Sequence, residues 1–125
     1  MILLDTSVAI LLLRGEASPA SLATEPVGIS TIVEMELQLG VLHGGGEREA
    51  ARVAEFLKES RIFDFDRTAS QKAGQVLAQL WKAGKPIGDF DAQIAGHAMA
   101  LNLPLLTDNM KNFERVVGLQ MLAWR

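Results

Sequence analysis

Three acidic residues of this chain could do chemistry together: Glu36 and Asp91, which stand where an unpaired charge is costly, and Asp5 at the end of the first apolar run. Asp5 closes the apolar run that starts at Met1, and Glu36 and Asp91 fall inside the apolar stripes of two predicted helices. A helix turns by about 100° per residue, so positions three or four apart share a face. In the predicted helix Thr31 to Leu42, Glu34 and Gln38 mark the polar side, and Glu36 projects about 160° away from Glu34, between Ile32 and the Val33/Gly40 side. In Phe90 to Asn102 the polar side reads as Gln93 and His97, extended by Asp89, while Asp91 projects between Ala95 and Ala98. Carboxylates turned inward need a counter-charge, and a metal ion is the first suspect.

The donor types narrow the ion and the reaction. There is no cysteine, which excludes disulfides, thiolate catalysis and Cys-ligated zinc. Oxygen donors of this kind suit Mg²⁺ or Mn²⁺, which retain part of their hydration shell. Such an ion polarises a phosphodiester and makes bound water a better nucleophile, so phosphodiester hydrolysis is the chemistry suggested. Each acid also has a plainer account: Asp5 as a turn residue, Glu36 snorkelling past Gly40 to solvent, Asp91 serving the helix dipole. The competing constellations are poor. No G-x-S-x-G turn supports a serine nucleophile, and Gly44 to Gly46 lacks the Gly-Lys-Ser/Thr of a phosphate-binding loop. Asp89 reads as an N-cap pointing away from Asp91, Asp64 and Asp66 as strand-end and capping acids, and His43 and His97 as surface or capping residues. Arg14, just after the first helix, is a candidate for reaching a phosphate, against a solvated helix end as the plainer reading.

The elements that must position these residues alternate. Met1 to Leu4 reads as a buried strand, Val8 to Leu13 as a short helix, and GEASPASLATEP (residues 15–26) as a small-residue loop. A strand at Val27 to Ser30 leads into the Glu36 helix, capped by Ser30 or Thr31. Glu47 to Ser60 is amphipathic, with Ala51, Val53, Ala54 and Leu57 toward the core. Strand Ile62 to Phe65, helix Thr68 to Ala83 capped by Asp66, the break Gly84-Lys85-Pro86, the Asp91 helix, strand Leu103 to Leu106, the polar turn Thr107-Asp108-Asn109 and a last strand Leu119 to Trp124 follow. Strands separated by helices imply an α/β fold: a parallel sheet of four to five strands flanked by helices, with its site beyond the carboxyl ends of the strands. At 125 residues and 49% hydrophobic content the expectation is one domain, residues 1–125. Val8 to Leu13, the longest apolar run, is far short of a membrane span and no secretory signal is apparent, so the expected location is cytoplasmic. The net charge of −3 does not favour a protein gripping nucleic acid through its overall field, although an acidic metal site would itself push the balance this way.

Four segments, MILLDTSV, ISTIVEMELQLGV, IGDFDAQIAGHAMALNLPLLTDNMKNFERV and GLQMLAW, occur in an order that resembles the PIN domain, specifically the VapC-type toxin ribonucleases of bacterial toxin–antitoxin pairs. The resemblance spans nearly the whole chain. It implies a Rossmann-like PIN domain with Asp5, Glu36 and Asp91 as catalytic metal-binding acids. The family's fourth acidic position falls on Asn109, leaving Asn109, through its amide oxygen or a water, or the neighbouring Asp108 as the fourth donor. Ser7 stands where many members have Asn and Thr107 where the family has a supporting Thr. The implied activity is that of a Mg²⁺- or Mn²⁺-dependent endoribonuclease, homodimeric and neutralised by a VapB-type antitoxin. The implied substrate is structured RNA, tRNA or rRNA, with IGDFDAQIAGHA closest to members that cut initiator tRNA in the anticodon region. A phosphatase or receiver-like domain lacks its second acid after the first strand. A catalytically weak PIN scaffold that binds RNA or a partner is the non-enzymatic alternative, and Asn109 is the residue that favours it.

Overall fold

The fold is built from short strands whose ends are taken over by helix-capping side chains. In chain order the elements are β1 (Ile2–Leu4), α1 (Thr6–Leu13), a 3₁₀ turn (Ala20–Leu22), β2 (Val27–Ser30), α2 (Thr31–Gly40), α3 (Gly46–Glu59), β3 (Arg61–Phe63), α4 (Arg67–Lys82), α5 (Asp89–Leu101), β4 (Leu105–Thr107), α6 (Met110–Phe113) and β5 (Met121–Ala123). The computed structural model describes residues 1–22 and 24–125; Ala23, within the segment read as loop, lies outside them. Asp5, Ser30 and Asp66 sit in extended backbone before α1, α2 and α4, and their side chains accept the amides of Val8, Ile32 and Ala69. Each thereby satisfies one of the orphan donors of a helix start and turns the chain from strand or loop into helix within one residue.

All five strands are parallel, in the order β3-β2-β1-β4-β5. Leu3 of β1 pairs with Gly28 on one side and Leu105 on the other, so β1 lies at the centre. The chain builds β2 and β3 to one side of β1 and then crosses to build β4 and β5 on the other. The crevice at this switch point opens beyond the carboxyl ends of β1 and β4. Both central strands are buried at every residue, as parallel strands covered on both faces must be.

Helix α5 is the most enclosed helix. Ala92 and every residue from Ile94 to Ala98 are buried, and its packing against α4 is the most extensive contact between any two elements. The closeness depends on Gly96: a Cβ there would lie 2.5 Å from the Cα of Ala73 and 2.6 Å from its N. This enclosure corrects the expectation for His97, which is 1% exposed and belongs to the core rather than to a polar surface. The middle of α5 has no broad solvated face, because α4 and α2 both pack on it.

Other boundaries shift for local reasons. Asp89 does not cap α5; Gly88 occupies that position and Asp89 is the first helical residue, exposed and without a side-chain cap bond. The Glu36 helix stops at Gly40 and continues as a widened turn, Val41–Gly45, in which His43 and Gly44 leave helical geometry. The outward side of α2 carries Met35, Gln38 and Leu39, whereas Glu34 is half-buried; α2 is apolar on more than one side, so residue type did not locate its solvent face. In α3 the inward residues are Val53, Phe56 and Leu57, with Ala51 and Ala54 exposed. Strand β3 begins at Arg61 and ends at Phe63, and β4 runs to Thr107, which places Thr107 in the sheet instead of in the turn.

Candidate active site

The site is assembled from the capping logic of the sheet's carboxyl edge. Asp5 follows β1 directly and is 2% exposed. Its Oδ1 accepts the amide of Val8 at 3.0 Å and the hydroxyl of Ser7 at 2.7 Å, while Oδ2 accepts the hydroxyl of Thr107 at 2.5 Å. Thr107 in turn accepts the amide of Asn109 at 2.8 Å, and Ser7 accepts the amide of Asp108 at 3.3 Å. Two adjacent strand ends are thus sewn together through one carboxylate. A carboxylate has about four lone-pair sites, so three donors leave room for roughly one more partner. Burial raises the pKa of Asp5, and this outweighs the opposing pull of the three hydrogen bonds.

Glu36 and Asp91 approach from the helices. Glu36 is half-buried and Oε1 accepts the hydroxyl of Thr6 at 2.7 Å, which ties α2 to the first residue of α1. Asp91, also half-buried, lies in the first turn of α5, and its Oδ2 accepts the side-chain amide of Asn112 at 2.8 Å. Its carboxyl is pushed up to about 6, first by burial and then by the charges of Asp5 and Glu36, against the lowering effect of Asn112. The three acids therefore share one field. Among the described residues two ion pairs occur, Met1 with Glu25 and Arg125 with Asp108, and neither involves these acids.

Thr6 and Asn112 are the site residues that sequence reasoning missed. Thr6 follows Asp5 directly, and nothing in its type or spacing marks it as the partner of an acid thirty residues on. Asn112 sits on α6, a four-residue helix too short to have a hydrophobic period, held in place by the fully buried Phe113. A search for hydrogen-bond donors as well as acids in TDNMKNF would have found it.

The remaining candidates divide. Ser7 and Thr107 lie on Asp5, as described. The side chain of Asp108 is held by a two-point contact with Arg125, Nε to Oδ1 at 3.0 Å and the terminal nitrogen to Oδ2 at 3.2 Å. Asn109 contributes its backbone amide to Thr107, and its side chain is exposed. Arg14 caps the far end of α1, about 12 Å along the helix from its start, and is not brought to the acids.

Residues 2–119 match the family profile described as PIN domain. The chain belongs to the PIN-domain family. Within it, the chain is 34% identical to the tRNA(fMet)-specific endonuclease VapC of Shigella flexneri over 129 aligned positions, covering 98% of this chain and 96% of the relative. It is 35% identical to Ribonuclease VapC2 of Haemophilus influenzae strain Rd, over 77% of this chain and 74% of that one. Two solved structures superpose along the full length of both chains with TM-scores of 0.89: VapBC2 of Rickettsia felis bound to a DNA fragment from their promoter, at 30% identity, and DNA-bound VapBC of Salmonella typhimurium, at 33%. This places the protein in the VapC branch of the PIN-domain family, and the crevice between β1 and β4 is where that fold gathers its acids here.

The donor set can be weighed against a divalent cation. Carboxylates gathered so that two of them raise the cost of charging the third, with no basic partner among the described residues and with free lone pairs, are what a hard cation relieves. Among the described residues no group of three or more His, Cys, Asp or Glu side chains is disposed to encircle an ion on its own. Mg²⁺ does not require that, because it is commonly held by one or two carboxylates and completes its shell with water. The residues fit such an ion.

Proposed function

We propose that this PIN-domain protein is a Mg²⁺- or Mn²⁺-dependent endoribonuclease, the toxin of a VapBC pair, that hydrolyses phosphodiester bonds in structured RNA. The observation that carries this reading is the convergence of three carboxylates at the switch point, where the charges of Asp5 and Glu36 act on half-buried Asp91 and, among the described residues, no basic side chain is paired to any of the three. When bound, the ion supplies Lewis-acid stabilisation of the phosphate and a more acidic water. Asp5 is the rigid donor, fixed by Ser7, Val8 and Thr107; Asp91 and Glu36 are the donors brought in by helices, oriented by Asn112 and Thr6. Such partners set the direction of a ligand's lone pairs and are part of the site's design. The likeness to a tRNA(fMet)-specific endonuclease supports tRNA as the substrate, in its anticodon region, where splayed bases let the backbone reach a recessed site. Likeness to two VapBC complexes supports a VapB-type antitoxin as partner, and we include a homodimer in the cytoplasm in the same reading. Among the described residues no helix is long and apolar enough to cross a membrane.

The test is cleavage of tRNA by antitoxin-free protein with Mg²⁺, with Mn²⁺ and with EDTA, alongside Asp5→Asn and Glu36→Gln. Metal-dependent cutting lost in both variants is expected; cutting that survives EDTA and both substitutions contradicts the mechanism. A second reading, a catalytically weak scaffold that binds RNA or a partner, is favoured by the absence, among the described residues, of a ready three-donor group. RNA binding without metal-dependent cleavage is its signature.

A further inference from the structure

Helices α2 and α5 pack on each other and are joined by one buried polar contact. Ser30, the cap of α2, touches His97 of α5, with Oγ and Nδ1 2.8 Å apart. Glu36 lies six residues after Ser30 on α2, and Asp91 six residues before His97 on α5. Glu36 and Asp91 are close enough for the charge of one to act on the other, so the helices run past each other in opposite senses. The Ser30–His97 contact attracts, and the two like charges about 9 Å along each helix repel.

The attractive point is built to hold. Ser30 is fully buried and His97 nearly so. The Ser30 Oγ already accepts the amide of Ile32 at 3.0 Å, so its own hydrogen is free for Nδ1, a pairing that suits a neutral imidazole. Burial lowers the pKa of His97, against the pull of Asp66 and Asp64. Phe65 meets the ring edge-on, with centroids 5.5 Å apart and planes at 87°, which fixes its orientation.

We propose that His97, through its hydrogen bond to Ser30, is a positioning residue that sets the register of α5 against α2, and with it the spacing of Glu36 and Asp91 that a divalent cation must bridge. The proposal rests on the metal-dependent reading above and goes beyond it in naming what holds the two helix-borne acids in place.

The experiment is calorimetric titration of Mn²⁺ into the intact protein for wild type, His97→Phe, Ser30→Gly, the double variant and His97→Asn. Glycine is nearly as good a cap as serine, so Ser30→Gly removes the hydroxyl with little harm to α2, and it keeps the test open should the Phe variant not fold. We expect Kd for Mn²⁺ to rise about 10- to 100-fold in either single variant, the usual cost of losing a partner behind the ligands. The double variant should lose no more than the singles, because both remove one bond. His97→Asn, whose amide reaches the place of Nδ1, should recover most of the affinity. Cleavage at saturating Mn²⁺ should return near wild type. Unchanged Mn²⁺ affinity in folded single variants, or additive losses in the double, overturns the proposal and leaves the metal-dependent reading standing. A wild type that binds no Mn²⁺ removes that reading itself.

Discussion

Helix α5 obeys opposite rules in its first turn and in its middle. In the first turn, half-buried Asp91 faces two carboxylates of its own sign and holds its proton well above the usual range. One to two turns later, Ile94 to Ala98 are buried, the backbone of Gly96 lies flush on Ala73, and the buried polar group, His97, has its partner in Ser30. On the proposed reading the first region serves the reaction, and its gathered charge is costly to the metal-free protein. The second is shaped for packing and holds the first in position. Stability and activity should therefore respond in opposite directions to changes in the two regions.

The largest effect is expected at the edge of the sheet. Asp5→Asn keeps the shape and most of the hydrogen-bonding capacity but removes the charge, and RNA cleavage should fall by about 10²-fold or more with only a modest change in melting temperature. In the packed region the expectation reverses. Gly96→Ala inserts a methyl against the backbone of α4 and should cost about 1–3 kcal/mol in urea unfolding, with lost stability rather than lost charge as its first consequence. Gly74 provides the contrast on the neighbouring helix: a Cβ there meets nothing within 4 Å, so Gly74→Ala should stabilise by about 0.5–1 kcal/mol. The smallest effect belongs to Asp89, two residues before Asp91 but exposed, where Asp89→Asn should change kcat/KM by less than about threefold.

How far these two regions can be read without coordinates differs for physical reasons. The alternation of strands and helices and the parallel sheet follow from short-range rules, apolar runs and caps; Glu36 and Asp91 are half-buried as their face angles suggest, although the residues that marked the polar faces, Glu34 and His97, are themselves half-buried and buried. The hydrogen bonds that orient the acids do not follow from such rules. Thr107 reaches Asp5 across two strands, Thr6 reaches Glu36 across two helices, and Asn112 reaches Asp91 from a helix too short to be periodic. His97 was misplaced because a polar residue on an apolar helix looks like a solvent marker unless its partner, 67 positions earlier, is known. The outward Met35 and Leu39 of α2 invert the same rule. Residue type locates a face only when one side of the helix is free.

The pH dependence of the site follows from Asp91. Its carboxyl titrates at about 6 in the folded protein against 3.8 for the ordinary group, so between those values the folded state binds more protons than the unfolded one. The stability this group contributes to the metal-free protein is thus greatest at acid pH and is lost as pH rises through about 6; above that, Asp91 is charged, repelled and ready for a cation. Cation binding should correspondingly weaken as pH falls below about 6.

The most direct test of the central claim, that the three acids are an uncompensated charge waiting for an ion, is the melting temperature of wild type and Asp91→Asn at pH 7.5, each in EDTA and in Mg²⁺. In EDTA the variant should melt above wild type, by about 3–6 °C after allowing for solvent screening of a half-buried group. Added Mg²⁺ should raise wild type and leave the variant nearly unmoved, reversing or closing the gap. A variant less stable than wild type in EDTA, with both proteins indifferent to Mg²⁺, would contradict the account.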